Sequence, residues 1–379
     1  MNYIAPQRSQ PPTDILRPAA GTAFALIDRT PVLFSESEQK LFELNESAAF
    51  IWCGLQDAVP LATICGQLVD RGLSLMDARE YLRDALVQWL SAGLIFPQCT
   101  VTDMTFAATV GRKLIEVRAS DPEAFDHLRS LFVATAAPTG KADATFSIYQ
   151  AGDSWVIMHD NREVCSCATN HLAPAFKAYL VEQLLLAGDP CDVIFHAAAV
   201  TSHGRAMLIS APPGTGKSTL TMHLLHAGFG YVTDDIVTIG QDGSIIGAPF
   251  APTLKAGSWP SISGLRPETE RLPVHQRPDG QAVRYLDVPP GVRDGALQAG
   301  WIVFLERSPD CTAPVMAELS ELDTIKRIVV ASYATHGKLT SDGFRALKGI
   351  VSRTRSFVLR YAEAADVVGS LAELGNDQP

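Results

Sequence analysis

Residues 205–227 read Arg-Ala-Met-Leu-Ile-Ser-Ala-Pro-Pro-Gly-Thr-Gly-Lys-Ser-Thr-Leu-Thr-Met-His-Leu-Leu-His-Ala. The apolar run at the start predicts a buried strand over 205–211, and the residues after Lys217 predict a helix over 218–227. Between them, Ala211–Ser218 fit a phosphate-binding loop, with Ala211 where glycine is more usual. A strand, a glycine loop and a helix N-terminus in that order aim consecutive backbone N–H groups at one point, where phosphate oxygens can sit. Gly214 and Gly216 let the backbone approach closely, Lys217 reaches the terminal phosphates, and Ser218 can hold Mg²⁺. The nucleotide-binding set expected is Ala211, Pro213, Gly214, Thr215, Gly216, Lys217, Ser218 and Thr219.

Such loops serve ATPases, GTPases, transporters and kinases alike, so the neighbouring strands must discriminate. Downstream, a strand predicted over 231–239 carries Thr233-Asp234-Asp235. Adjacent residues of a strand point to opposite faces, so one acid can look at a metal and the other at a nucleophile. A turn or helix cap is the bland alternative for an Asp pair, but ligands bind in the crevice outside strand ends. Upstream, a strand predicted over 192–200 carries His196, a position more often filled by a packed core histidine. His203-Gly204 reads as the turn between that strand and the loop-bearing one.

The whole chain has 379 residues, 47% hydrophobic and 19% charged, which places it among globular proteins of two or three domains. A net charge of -10 argues against a general nucleic-acid binder, while a single nucleotide needs only a local cradle. Apolar runs such as Ala197–Val200 and Val329–Ala331 are far too short to span a membrane. Met1–Arg17 is polar and proline-bearing, without the apolar core of a secretion signal. Seven cysteines in such a chain read as reduced thiols of a cytoplasmic protein. Cys165-Ser-Cys167 with His171 lacks a fourth metal ligand and is set aside.

Four segments are expected. Residues 1–17 form a disordered lead-in. Residues 18–104 hold short strands at 23–27, 31–34 and 40–44. Three helices follow there: one capped by Asn45, one after Pro60, and one carrying Ala78, Leu82, Ala85, Leu86 and Trp89 and ending near Gly93. Residues 105–190 are mixed, with a hairpin around Gly152-Asp153 and a helix over 172–186. Residues 191–379 alternate strands and helices, with a loop-rich stretch at 252–295, an apolar strand at 301–305 and a helical tail at 321–332 and 362–374. Glu306 after that strand lacks the Asp-Glu ending of a mechanical ATPase.

Three of these stretches together resemble the catalytic core of the HPr serine kinase/phosphorylase superfamily: Phe195-His-Ala-Ala-Ala-Val200, the loop Ala211–Ser218, and Gly228-Phe-Gly-Tyr-Val-Thr-Asp-Asp235. His196 lies 21 residues before Lys217 and Asp235 lies 18 after it, the spacing of that family's strand-borne histidine and of the second acid of its Asp pair. The resemblance implies an α/β P-loop kinase core, with ATP and Mg²⁺. It makes Asp235 the general base, His196 the support of that carboxylate, Lys217 a phosphate contact, and Ser218 with Asp234 the metal ligands. The family's Glu-x-Arg-Gly segment is absent. At the comparable distance stands Ala248–Gly257, where Lys255 is a candidate phosphate contact, as is Arg284 further on. The pattern resembles a divergent kinase branch, whose members associated with lasso peptides act on a C-terminal serine, and it puts the reverse phosphorylase reaction in doubt.

The front segment resembles a PqqD-type domain, a small winged-helix-like α+β unit, in Leu44-Asn-Glu-Ser-Ala-Ala-Phe-Ile-Trp52, the helix after Pro60, and Trp89-Leu-Ser-Ala-Gly-Leu-Ile95. Such domains bind leader peptides of ribosomally made, modified peptides by adding the leader as a strand to a sheet edge. The joint expectation is an ATP-dependent serine kinase acting on a leader-bearing precursor peptide, with no nucleic-acid or membrane partner; the kinase resemblance also allows a homo-oligomer. Two alternatives stand beside it: a kinase of the phosphocarrier HPr, and a nucleotide-gated peptide chaperone without phosphotransfer.

Overall fold

In the computed structural model the apolar run beginning at Ala206 enters the interior as the strand Arg205–Ser210, every residue after Arg205 being buried. The structure describes residues 15–377 except 20, 37, 99–103, 138, 152–153, 161, 187–191, 289–296 and 335–338. Arg205–Ser210 pairs in parallel with Leu297–Arg307, which pairs in parallel with Arg355–Tyr361. Among the described residues these three strands belong to a ten-stranded mixed sheet. Its two faces explain the run of apolar residues without alternation, since helices cover both. Met207 and Ile209 pack with Leu220 and Leu224 of the helix Lys217–His226 and with Leu371 of Val368–Asn376. Leu208 and Ala206 face the other way, onto Ile328 of Glu321–Ala331 and Leu347 and Ile350 of Ser341–Val351.

Two strands expected to be continuous are each broken. The chain over 192–200 forms Val193–Phe195, interrupts at His196, and resumes as Ala197–Ser202. The chain over 231–239 forms Gly230–Thr233, interrupts through Asp234, Asp235 and Ile236, and resumes as Val237–Ile239. In both cases the second piece has different neighbours. Ala197–Ser202 and Gly230–Thr233 pair with each other, and so do Val193–Phe195 and Val237–Ile239. Both chains therefore cross between the two halves of the sheet at one place, and a residue leaving the ladder there is free to turn its side chain into the gap. His203 and Gly204 make the expected two-residue turn with φ of +48° and +75°, the left-handed pair of a type I′ hairpin.

The segment before this sheet contributes a five-stranded sheet in the order Arg162–Cys167, Ser154–His159, Ala144–Ala151, Lys113–Ala119 and Thr105–Val110. The hairpin tip at Gly152-Asp153 lies outside the described residues. Helices Pro122–Arg129, capped by Asp121, and Leu172–Leu180 pack on this sheet. The helix expected over 172–186 changes at Val181 to a π-helical turn, Val181–Leu186. Its core is shared: Phe146, Phe176 and Leu180 form one buried cluster with Ile194, Ile236, Phe250 and Tyr285.

At the front, the strands Thr22–Ile27, Thr30–Ser35 and Lys40–Glu43 form a meander. It packs on the helices Glu46–Gln56, Leu61–Asp70 and Leu75–Ser91. Asn45 caps the first helix by accepting the Ala48 N–H at 2.8 Å. Trp52 and Trp89 meet edge to face at 5.2 Å in the centre of that core. The lead-in expected to be disordered through residue 17 is corrected at its end: Ile15–Pro18 pairs with Ile95–Gln98. Residues 1–14 lie outside the described residues, as does most of the connection at 99–103.

The stretch 252–295 holds more order than its prolines suggest. Thr253–Lys255, His275–Gln276 and Ala282–Tyr285 form a three-stranded sheet, while 289–296 lie outside the described residues. The helical tail also needs correction. Arg355–Tyr361 is a buried strand, and helix resumes only at Val368 after the single turn Ala364–Val367. No helix among the described residues is long and apolar enough to cross a membrane.

Candidate active site

The chain leaves the sheet at Ser210 and turns through Ala211–Gly216 into the helix Lys217–His226. Gly214 at φ +85° and Gly216 at φ +104° occupy the left-handed region, which side chains with a Cβ rarely tolerate. The loop is pinned from both sides. Tyr361 donates its hydroxyl to the Thr215 carbonyl at 2.9 Å, and the Thr215 hydroxyl donates to the Pro212 carbonyl at 2.8 Å. Lys217, only 8% exposed, donates from Nζ to the Ala211 carbonyl at 2.7 Å. Burial pushes its pKa down, and the nearby Asp235 and Asp234 charges oppose that.

The strand break at 234–236 sends the two acids to different neighbours. Asp234 is 3% exposed and hydrogen-bonded throughout: Oδ2 accepts from Ser218 Oγ at 3.0 Å and from the Thr253 N–H at 2.9 Å. The Tyr231 hydroxyl lies 3.4 Å from Oδ1 and donates at 2.7 Å to the Phe250 carbonyl. Burial raises the Asp234 pKa, opposed chiefly by the Lys177 charge. Asp235 has 42% of its side chain exposed, and its Oδ1 lies 3.2 Å from His196 Nε2. Oδ2 lies 3.6 Å from Lys177 Nζ. Burial alone would raise the Asp235 pKa. The His196 hydrogen bond and the Lys177 and Lys217 charges outweigh it and hold the carboxyl well below the usual range. Asp235 is therefore ionised at neutral pH and reachable from solvent, whereas Asp234 is enclosed.

Both acids line one cleft of about 660 Å³, Asp235 facing into it and Asp234 set in its wall. Pro213, Gly214, Gly216, Lys217, Ser218 and Thr219 of the glycine loop and the following helix line it, as do His196, Asp234 and Asp235. Lys255, Arg277 and Arg307 also line it, so a chain of net charge -10 gathers four cations here, Lys217 included. Of the residues singled out from sequence, Ala211 contributes its carbonyl to Lys217 and Thr215 its carbonyl to Tyr361. Arg284 is turned elsewhere: its guanidinium stacks over Trp259, 4.0 Å from the ring centroid, and its Nε is buried without a partner. Arg277 and Arg307, which no sequence pattern marked, line the cleft instead.

Lys177, Thr253 and Tyr231 were also missed. Lys177 lies on a helix of the preceding segment, 58 residues before Asp235, and no local motif announces it. Glu306, at the end of the long parallel strand, is bound by Arg327 at 3.1 Å and Arg360 at 3.3 Å. A hydrolytic role at this position has no geometric support.

Ser218 Oγ and the Asp234 carboxylate supply hard oxygen donors within hydrogen-bonding distance of each other, beside the phosphate loop. Two protein oxygens, with waters and phosphate supplying the rest, suit Mg²⁺ and would hold it poorly as a soft-metal site. Among the described residues there is no cluster of three or more His, Cys, Asp or Glu that could hold another metal.

No family model matches the chain, and no curated protein matches it. Among solved structures it is similar to the HPr(Ser) kinase/phosphatase from Coxiella burnetii. That similarity is 13% identity over 48% of this chain and 94% of that chain, with a TM-score of 0.23. The functional reading therefore rests on the cleft itself.

Proposed function

We propose that the chain is an ATP-dependent serine kinase whose front segment, residues 18–104, captures a ribosomally made precursor peptide by its leader. On this reading residues 105–190 lead into an HPr-kinase-type P-loop domain at 191–379, working in the cytoplasm where ATP and such peptides meet. The observation that carries it is Asp235: ionised, half exposed, buttressed by His196, and facing the same cleft as the phosphate loop. A protein that only senses nucleotide has no use for an ionised carboxylate held toward solvent beside the terminal phosphate.

The chemistry follows from the placement. The loop N–H groups and Lys217 grip the phosphates, Lys217 exchanging its bond to Ala211 for one to a phosphate oxygen. Mg²⁺, when bound at Ser218 and Asp234, supplies charge neutralisation for the terminal phosphates. The serine hydroxyl approaches Asp235, its oxygen forms the bond to the γ-phosphorus, the bond from that phosphorus to the β-bridging oxygen breaks, and ADP leaves. The hydroxyl proton passes to Asp235. A carboxylate of depressed pKa is a weak base, which suits a loose transition state where the proton is lost late.

The capture role is supported by the front meander. Its strand Lys40–Glu43 pairs with Thr30–Ser35 alone among the described residues, leaving an outer edge able to accept one more strand. The test is mass-spectrometric: ATP, Mg²⁺ and the chain are offered a leader-bearing precursor peptide and, separately, HPr. A gain of one phosphate on the peptide, absent with Asp235→Asn, is expected. A gain on HPr alone transfers the reading to a phosphocarrier kinase. Nucleotide binding without transfer to either leaves a nucleotide-gated chaperone.

A further inference from the structure

We infer that Lys177 is a positioning residue of this site, and that the segment 105–186 exists in part to deliver it. The inference rests on the kinase reading above and adds to it the element that fixes the base.

The helix Leu172–Leu180 buries Ala173, Phe176 and Leu180 against the shared core. Lys177 sits four residues after Ala173 and three before Leu180, on that same buried face. Helical periodicity asks for an apolar side chain at this position, and a lysine there must find partners for its charge. It has three. Nζ lies 3.6 Å from Asp235 Oδ2, donates to Thr253 Oγ1 at 2.9 Å, and lies 5.2 Å from the centroid of the Phe250 ring. The side chain is 12% exposed, so the ammonium is screened from solvent while Asp235 is open to it.

The consequence is a clamp with two jaws. His196 holds one oxygen of Asp235 and Lys177 the other, so the carboxylate plane is fixed from both sides. Thr253 links the clamp to the second acid, because its hydroxyl takes Lys177 while its N–H holds Asp234. One cation thus offsets two adjacent carboxylates at the place where a polyphosphate must come close. Lys177 does not line the cleft, so it acts through Asp235 and touches no reacting atom.

The experiment uses the full chain. Lys177→Met keeps the length and packing of the side chain and removes its charge. The expected result is a fall in kcat of roughly 100-fold with the ATP dissociation constant within about threefold of the original, the loss being one of transition-state placement. Tyr179→Phe is the control on the same helix: it removes the 2.8 Å bond to His159 and leaves Asp235 untouched. A kcat for Lys177→Met within about threefold of the parent overturns the inference. So does an equal loss in Tyr179→Phe, which would show that helix docking alone matters. Thermal midpoints of Lys177→Met, Asp235→Asn and the double variant supply a readout independent of turnover. Coupling is expected, with Lys177→Met costing far less in the Asp235→Asn background. Additive midpoints, or failure of both Lys177→Met chains to fold, overturn it. If the parent chain transfers no phosphate at all, the kinase reading falls, and the midpoints alone decide whether Lys177 holds Asp235.

Discussion

The cleft and the front segment treat polar groups and apolar surface in opposite ways. Around the cleft, polar side chains are buried and tied to one another: Asp234 accepts from Ser218 and from the Thr253 N–H, and Lys217 turns inward to Ala211. In the front segment the buried interior is apolar, with Trp52, Leu33 and Ile64 fully enclosed. Its sheet leaves large apolar side chains in water, Leu26 at 67% exposed and Leu41 at 61%. A site that works by electrostatic placement must be organised before the substrate arrives, so its dipoles are fixed within the fold. A surface that works by capture must leave backbone groups and apolar area unspent until a partner covers them. On the proposed function the difference corresponds to chemistry in one region and recruitment in the other.

The largest expected effect lies in the cleft. Asp235→Asn keeps the shape of the side chain and removes the proposed base and the charged partner of Lys177 and His196. Phosphotransfer should fall by about 10³-fold or more while ATP still binds, measured by single-turnover mass spectrometry beside nucleotide titration. Residual transfer near the parent rate would sink the assignment of the base.

Acid should also separate the two regions. His275 is 1% exposed, packs edge to face on His127 at 5.0 Å and lies 5.2 Å from the Tyr285 ring; its Nδ1 and that of His127 are buried with no hydrogen-bond partner among the described residues. Burial, with His127 adding to it, pulls the His275 pKa down to about 4. A histidine with a depressed folded pKa favours the folded state above its unfolded pKa near 6.5, and that advantage drains away as the pH falls toward 4. The loss amounts to about 3 kcal/mol. The segment 15–98 contains no histidine. Between pH 6.5 and 4 the cleft-bearing region should therefore melt progressively earlier while the front segment holds, and His275→Phe should flatten the slope. Equal acid sensitivity in both regions, followed by calorimetry, would remove this contrast.

Removing the front segment tests the division of labour directly. A chain starting at residue 105 should lose about 100-fold in kcat/KM on a leader-bearing peptide through KM, with little change on a short leaderless one, because only the local concentration is lost. An equal loss on both peptides would mean that the front segment supports the fold of the cleft. The smallest effect is expected at the surface: Leu41→Ser should change the stability by less than about 0.5 kcal/mol, read from denaturant unfolding. It should weaken peptide binding all the same, read by fluorescence anisotropy.

Much of the cleft was legible because its chemistry is local in sequence. Gly214, Gly216, Lys217 and Ser218 lie within five consecutive residues, and a strand before and a helix after them suffice to define the cradle. His196 and Asp235 are singled out through the resemblance to HPr kinases, whose histidine and second acid stand at the same spacings from the loop lysine; the structure places the two side chains 3.2 Å apart. The reasoning for the Asp pair was only partly right: its residues diverge because the chain leaves the sheet there, and strand alternation plays no part. Arg284 misled for a related reason. An arginine near an expected loop looks available, and only the packed structure shows it stacked on Trp259. The buried strand Arg355–Tyr361 escaped notice because Arg355, Ser356 and Arg360 interrupt its apolar pattern.

The sequence by itself determined the glycine loop between strand and helix and the caps and periodicity of the front helices, since each is set by residues close in the chain; the pairing of His196 with Asp235 is an expectation of the resemblance. Tertiary structure alone decided that His196 and Asp235 meet where two chains change partners within one sheet, and that Arg277 and Arg307 reach the cleft while Arg284 does not. It also brought Lys177 from a separate sheet-and-helix segment to the far side of the base. Those relations depend on which strands pair and which helix faces pack. That choice is made by the free energy of the whole core and is written at no single place in the chain.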